Sequence, residues 1–274
     1  MLKLRIITAL ILLPAVLAGI FLLETHWFGF AWALALNVAA WEWLALSRIN
    51  AKLWQLLGLV IVNVMLWLAW QYQSHGLFAE TVLLTASVVW LAVIMNLRGD
   101  PVVRLQAWSQ ARFRLLGVAT GMIVIVPTWF ALVLLHQQTP WLVLNVFCLV
   151  WIADIGAYFS GRRWGKRKLA PKISPGKSWE GVFGALFATL LYALVVSQWF
   201  ASGIDQQVLF VVVCLVTVAV SVYGDLLESV FKRVTGVKDS GQILPGHGGM
   251  MDRLDSITAA APVFATGMII TGWV

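Results

Sequence analysis

Long apolar runs separated by short polar connections account for most of this chain. A transmembrane helix needs about 20 mostly apolar residues. Nine stretches approach that length: 6–23, 27–46, 53–70, 77–97, 115–135, 140–160, 181–201, 207–228 and 256–274. The pattern predicts an all-α fold, a polytopic integral membrane helical bundle of about nine transmembrane helices. Pro14, Pro127 and Pro262 fall inside these runs, which membrane helices tolerate when neighbours satisfy the freed backbone groups. Residues 1–114 carry the first four helices and 115–274 the last five, with no internal repeat or low-complexity linker between them. Lys3 and Arg5 before an apolar run could open a signal peptide. That run is long and no small-x-small site follows it in Phe21–His26, so a retained first helix is expected.

Composition strengthens the membrane reading. The 274 residues are 61% hydrophobic and 11% charged, against about 45–50% and about 25% in soluble proteins. The sixteen Trp suit membrane–water interfaces. A net charge of +7 would suggest nucleic acid in a soluble protein, but the placement of the charges gives another account. With the N-terminus inside, all nineteen Lys and Arg fall at the N-terminus or in inside connections. The outside connections Glu24–His26, Gln71–Gly76, His136–Thr139 and Ser202–Gln206 hold none. This is the positive-inside distribution. It predicts a multi-pass protein of the cell (inner) membrane, N-terminus cytoplasmic and C-terminus outside, with no nucleic-acid partner. Cys148 and Cys214 lie in apolar runs without CxxC spacing and read as small buried hydrophobes.

Topology alone explains Lys3, Arg5, Arg48 and Lys52. It explains less of the last two inside connections, which mix cations with Asp, Ser, Gly and Pro. Residues 224–255 read GDLLESVFKRVTGVKDSGQILPGHGGMMDRLD. Asp225, Ser229, Lys232 and Arg233 stand at i, i+4, i+7 and i+8, on one helical face. Lys238 and Asp239 follow, then Pro245-Gly246-His247-Gly248-Gly249, where the backbone can approach a ligand closely. Asp252, Arg253 and Asp255 precede the ninth helix. Carboxylates suit Mg²⁺, which completes its shell with phosphate and water, and Lys and Arg suit phosphate. The set therefore suggests a metal–polyphosphate site. For any single Asp a solvated helix cap with local ion pairs is an equal alternative.

Two further stretches look chemical. Asp154 lies inside the sixth segment, where a carboxylate normally faces a cavity or a partner. Ser174-Pro175-Gly176-Lys177-Ser178 contains Gly-Lys-Ser, but a nucleotide-binding P-loop needs Gly where Pro171 stands. Lys177 could still hold a phosphate. Glu42 and Glu80 are isolated and are expected to be structural. For His247 a backbone or substrate contact is favoured over metal ligation.

Ser229-x-Phe231-Lys232-Arg233, Lys238-Asp239, Leu244-Pro245-x-His247-Gly248-Gly249 and Asp252-Arg253-x-Asp255 together resemble the signature of the phosphatidate cytidylyltransferases, or CDP-diacylglycerol synthases. Trp151–Tyr158, Ser174–Gly181 and, less strongly, Ala40–Trp43 are similar to that family too. The resemblance implies transfer of CMP from CTP to phosphatidic acid, with release of pyrophosphate. It implies Mg²⁺ with an assisting K⁺, and a homodimer. It assigns Asp225 and Asp252 to the metal, and Asp255, Asp154 and Ser229 to supporting roles. Lys177, Ser174, Lys232, Arg233, Lys238, Asp239, His247, Gly248, Gly249 and Arg253 fall to substrate binding. The CDP-alcohol phosphotransferases, by contrast, need Asp-Gly-x-x-Ala-Arg, which the sequence lacks. A transporter would favour repeated halves and charges near the midplane.

Overall fold

The computed structural model describes residues 2–73, 75–201 and 203–273, with side chains from Ile7 onward. The side chains of Lys3 and Arg5 therefore lie outside the described residues. Nine long helices coincide with the nine apolar stretches: α1 (Leu2–Leu22), α2 (Thr25–Leu46), α3 (Lys52–Tyr72), α4 (Gly76–Asn96), α6 (Gln110–Gln138), α7 (Pro140–Trp164), α8 (Trp179–Phe200), α9 (Ile204–Thr235) and α10 (Met251–Ile270). A short helix, α5 (Pro101–Gln106), and a two-stranded hairpin, β1 (Lys168–Ala170) and β2 (Ser174–Ser178), complete the described elements.

Seven of the long helices are both long and apolar enough to cross a membrane. The two that fall short do so for separate reasons. The described apolar part of α1 is the shorter Ile7–Leu22. The first turns of α10 carry Asp252, Arg253 and Asp255. Several helices outrun their apolar cores, because hydropathy marks the lipid-facing length whereas a helix continues as an amphipathic extension beyond it. At 1.5 Å per residue the 32 residues of α9 span about 48 Å, against a hydrocarbon layer of about 30 Å. Its last turns must therefore project into water, and those turns carry the chemistry.

α6 is the central post. It is buried continuously from Val124 to His136 and packs on α2, α3, α4, α7 and α10. The other inner helix, α10, offers the small residues Ala259, Ala260 and Ala261, all fully buried, so neighbouring helices can approach closely. The lipid-facing surface stays apolar. Trp54, Trp164 and Trp179 are exposed near one end of the bundle, and Trp27, Trp141 and Trp199 near the other. This is the double aromatic belt of an interface-anchored protein.

Contacts between connections fix which loops share an end. Arg48 Nη2 donates to Val234 O (3.1 Å) and Arg114 Nε to Arg48 O (3.0 Å). Arg233 Nε donates to Ile173 O (3.1 Å), and Thr8 Oγ1 to Pro245 O (2.9 Å). Lys172 Nζ pairs with Asp100 at 2.5 Å. The Lys172 ammonium holds the half-buried Asp100 carboxyl below the usual carboxylate range, so the pair is lost only as pH falls through that lowered value. At the opposite end Gln137 Nε2 donates to Gln73 Oε1 (2.7 Å), and Thr25 Oγ1 meets His136 Nδ1 (3.0 Å). The basic connections thus gather at one end. Both cysteines are free, Cys214 buried and Cys148 half-buried.

Close helix approach also shapes that end. A Cβ on Gly156 would lie 2.7 Å from Gly184 O, and one on Gly184 would collide with the Ser160 side chain. A Cβ on Gly19 would meet nothing within 4 Å. Gly184→Ala should therefore strain the α7–α8 contact by about 1–3 kcal/mol, the usual cost of overpacking. Its unfolding temperature in detergent should fall below wild type while that of Gly19→Ala does not. Equal behaviour of the two variants would contradict the close-packed α7–α8 seam.

Candidate active site

Three elements meet at the basic end: the last turns of α9, the first turns of α10 and the β1–β2 hairpin. On α9, Asp225, Glu228, Ser229 and Lys232 share one face. Ser229 Oγ donates to Asp225 Oδ1 (3.2 Å). Lys232 Nζ reaches Glu228 Oε2 (2.6 Å), one turn away, and Asp252 Oδ1 (2.7 Å) on α10. Glu228 is fully buried, and its other oxygen has no hydrogen-bond partner among the described residues. Beside that face Phe231 packs, tilted, against Trp43 and Phe113. α9 ends at Gly236, whose φ of 77° lets the chain turn away while Val237 N donates to Lys232 O (3.0 Å). Lys232 and Arg233 lie in this last turn, where cations favour the helix dipole.

The 236–250 loop is wrapped around two carboxylates. Asp252 Oδ2 accepts from Ser240 N (2.9 Å) and Gly249 N (2.8 Å). Glu42, from α2, accepts from Met250 N (3.1 Å) and Met251 N (2.8 Å). It thereby supplies the first turn of α10 with the cap that its own N-cap residue Met250 lacks. Ser240 Oγ lies 2.9 Å from Glu42 Oε2 and 3.0 Å from Asp252 Oδ2, so its single proton serves one carboxylate at a time. Gly248 has φ of 81°, and a Cβ there would sit 2.7 Å from Asp252 Oδ2. A Cβ on Gly249 would strike both Ser240 and Glu42. Gly248 and Gly249, expected to approach substrate, thus also make room for carboxylates of the protein itself.

The hairpin brings Lys177 to the other side of α9. Its Nζ is 2.7 Å from Asp225 Oδ2. Glu180 anchors the hairpin's base by accepting from Lys166 N and Arg167 N, both at 3.2 Å, and Ser178 Oγ caps α8 through Gly181 N (3.2 Å). A groove of about 330 Å³ between α7, α8 and α9 is lined by Asp154, Tyr158, Lys177, Val182, Asp225 and Ser256. A second hollow of about 700 Å³ is lined by Lys238, Asp239, Gln242, His247 and Arg253. Asp252 underlies Gly248 in the second and is tied through Lys232 and Glu228 to the helix that carries Asp225 in the first.

Most of the expected residues therefore converge, and the rest are placed around them. Arg233 donates to Ile173 O and so holds the hairpin. Ser174 pairs through the hairpin register with Ala170. Asp255 is half-buried, and its Oδ1 accepts from Ser256 N (2.7 Å). Arg253 is exposed, and His247 Nδ1 is buried with no partner among the described residues. Asp154 is exposed on the groove wall. Glu228 was missed, although its spacing of i+3 from Asp225 and i−4 from Lys232 marks the same face. Glu42 was read as structural, and structural it is, but across 209 residues no sequence period could reveal what it holds.

No group of three or more His, Cys, Asp or Glu closes into a metal cage among the described residues. Asp225 and Asp252 are each paired with a lysine instead. Carboxylates in this number could serve Mg²⁺ only where phosphate and water complete its shell, and not as an all-protein site.

The sequence profile of the cytidylyltransferase family matches residues 3–271. A phosphatidate cytidylyltransferase of Pseudomonas aeruginosa is 44% identical over 276 residues, covering 100% of this chain and 99% of that protein. One of Haemophilus influenzae is 39% identical, covering 97% and 98%. One of Staphylococcus epidermidis is 45% identical over 132 residues, 47% of this chain. A match of such extent, on a chain whose carboxylates and lysines meet at one end of a helical bundle, establishes that the chain belongs to the cytidylyltransferase family.

Proposed function

We propose that this chain is a nucleotidyltransferase of phospholipid biosynthesis, moving CMP from CTP to phosphatidic acid to give CDP-diacylglycerol and pyrophosphate. The observation that carries this reading is the pairing of Lys177 with Asp225 and of Lys232 with Asp252, where a membrane bundle meets water. The lipid phosphate oxygen forms a bond to the α-phosphorus of CTP, and the bond from that phosphorus to the bridging oxygen of pyrophosphate breaks. A phosphomonoester has a second pKa of about 6, so the attacking oxygen is largely deprotonated at neutral pH and needs no general base. The difficulty is bringing two polyanions together, so the residues act by positioning and charge neutralisation. Lys177 and Lys232 face the reacting phosphates. Glu228 fixes Lys232 within reach of Asp252, and Ser229 orients Asp225. The groove between α7, α8 and α9 suits the lipid phosphate, and the hollow around His247 and Arg253 suits the nucleotide.

Asp225 and Asp252 would hold Mg²⁺, which supplies charge neutralisation at the phosphates, with K⁺ as a second ion. The gathering of the basic connections at one end supports a cytoplasmic site in the inner membrane, with the C-terminus outside. The working form is a homodimer.

Asp225→Asn and Asp252→Asn should each insert and purify normally yet lose at least about 10²-fold in turnover, read as pyrophosphate release. Near-normal turnover of both at saturating Mg²⁺ would sink the metal assignment. Glu42→Ala leaves two backbone N–H groups at the start of α10 unsatisfied, at a cost of about 1–3 kcal/mol. Its unfolding temperature and its activity should drop together. An unchanged unfolding temperature would contradict the cap. For orientation, a reporter active only in the cytoplasm should be dark when fused after Val274 and bright when inserted near Lys168. A bright C-terminal fusion would reverse the topology.

A further inference from the structure

Most basic side chains at the site end are engaged. Arg48, Arg104, Arg114 and Arg233 donate to backbone carbonyls, Lys172 pairs with Asp100, and Arg112 lies over the Trp108 ring. Lys52, Arg98, Lys238 and Arg253 have no such partner among the described residues but stand singly, whereas the junction from α7 through the hairpin carries three such cations within 163–168. Arg163, Lys166 and Lys168 are exposed and make no ion pair or side-chain hydrogen bond among the described residues. The flanking Trp164 and Trp179 are 63% and 42% exposed, which sets this junction at headgroup depth. The groove opens beside it: Tyr158, one of its lining residues, accepts a hydrogen bond from Arg162 Nη1 (2.9 Å) and lies under the guanidinium. The positive-inside rule asks only that cations lie on this side of the membrane. It does not ask that they be unpaired, clustered and next to the groove.

We infer that Arg163, Lys166 and Lys168 form a docking surface for the phosphomonoester headgroup of phosphatidate, which they collect from the membrane plane and pass to the groove beside Tyr158 and Arg162. This rests on the proposed reaction. The headgroup carries close to two negative charges at neutral pH, and cations near an anionic membrane surface attract it until salt screens them. The surface acts on capture rather than on bond making, so it should move one kinetic parameter alone.

The test uses the full-length protein in detergent–phosphatidate mixed micelles and the triple variant Arg163→Gln/Lys166→Gln/Lys168→Gln. The surface KM for phosphatidate should rise at least about 5-fold, the attraction of a single cation or more, while kcat and the KM for CTP stay put. Raising the salt should bring wild type to the variant's value. Without CTP, native mass spectrometry should find less phosphatidate retained on the variant. Phosphatidylglycerol at equal mole fraction should compete poorly. An unchanged surface KM with unchanged retention overturns the inference. So does an equal loss in kcat, or competition by phosphatidylglycerol as strong as by phosphatidate. If neither protein consumes CTP while retention still differs, the catalytic reading fails and the docking surface stands.

Discussion

Lys232 is the keystone of the functional end. Its ammonium lies between a buried glutamate on α9 and an aspartate on α10, and it joins the two helices where they leave the bilayer. Removing one member of such a buried set leaves an uncompensated charge, a far larger penalty than the net worth of the intact pair. The rest of the site is arranged around this constraint. Backbone N–H groups of the 236–250 loop saturate one oxygen of Asp252, so its other oxygen is free to serve Lys232. Glu42 holds the loop that supplies those groups. Lys177, from the opposite side, does for Asp225 what Lys232 does for Asp252.

The bilayer explains why these groups occupy one end. Charged side chains in hydrocarbon are costly, whereas a helix longer than the hydrocarbon layer carries its final turns into water at no such cost. α9 uses its excess length in this way. α10 begins with its charged turn and then becomes a helix of small apolar residues in the bundle interior. The inner posts α6 and α10 hold position by close packing, and the hairpin is fixed to α5, α8 and α9 by ion pairs and carbonyl contacts. A rigid bundle thus presents a compact set of polar groups at a single depth.

Sequence reasoning recovered what is written in periods and composition. Nine apolar runs became nine long helices, and the spacing of Asp225, Ser229 and Lys232 became a real shared face. It failed where information is carried by contact. Arg233 belongs to that spacing by number, but its distance from the axis lets it reach the hairpin instead. Glu228 stands between Asp225 and Lys232 in that spacing, but no sequence period marks a glutamate that is fully buried and bonded to Lys232. The hairpin gave no strand signal, since Ser174–Ser178 contains Pro and Gly and is held by side chains from elsewhere. The partners of Glu42 lie at the other end of the chain.

That last separation has a consequence for how the protein is made. Glu42 is synthesised some 209 residues before the Met250 and Met251 amides that it accepts from. At ribosomal speeds this is a wait of roughly 10–40 s. Throughout that interval α2 sits in the membrane with its carboxylate unmatched, and the bundle has neither the loop nor the inner helix that will close over it. Glu42 therefore acquires its partners only when the start of the final helix arrives. A chain cut short before α10 lacks both amides, so its α2 carries a carboxylate that the finished protein has matched.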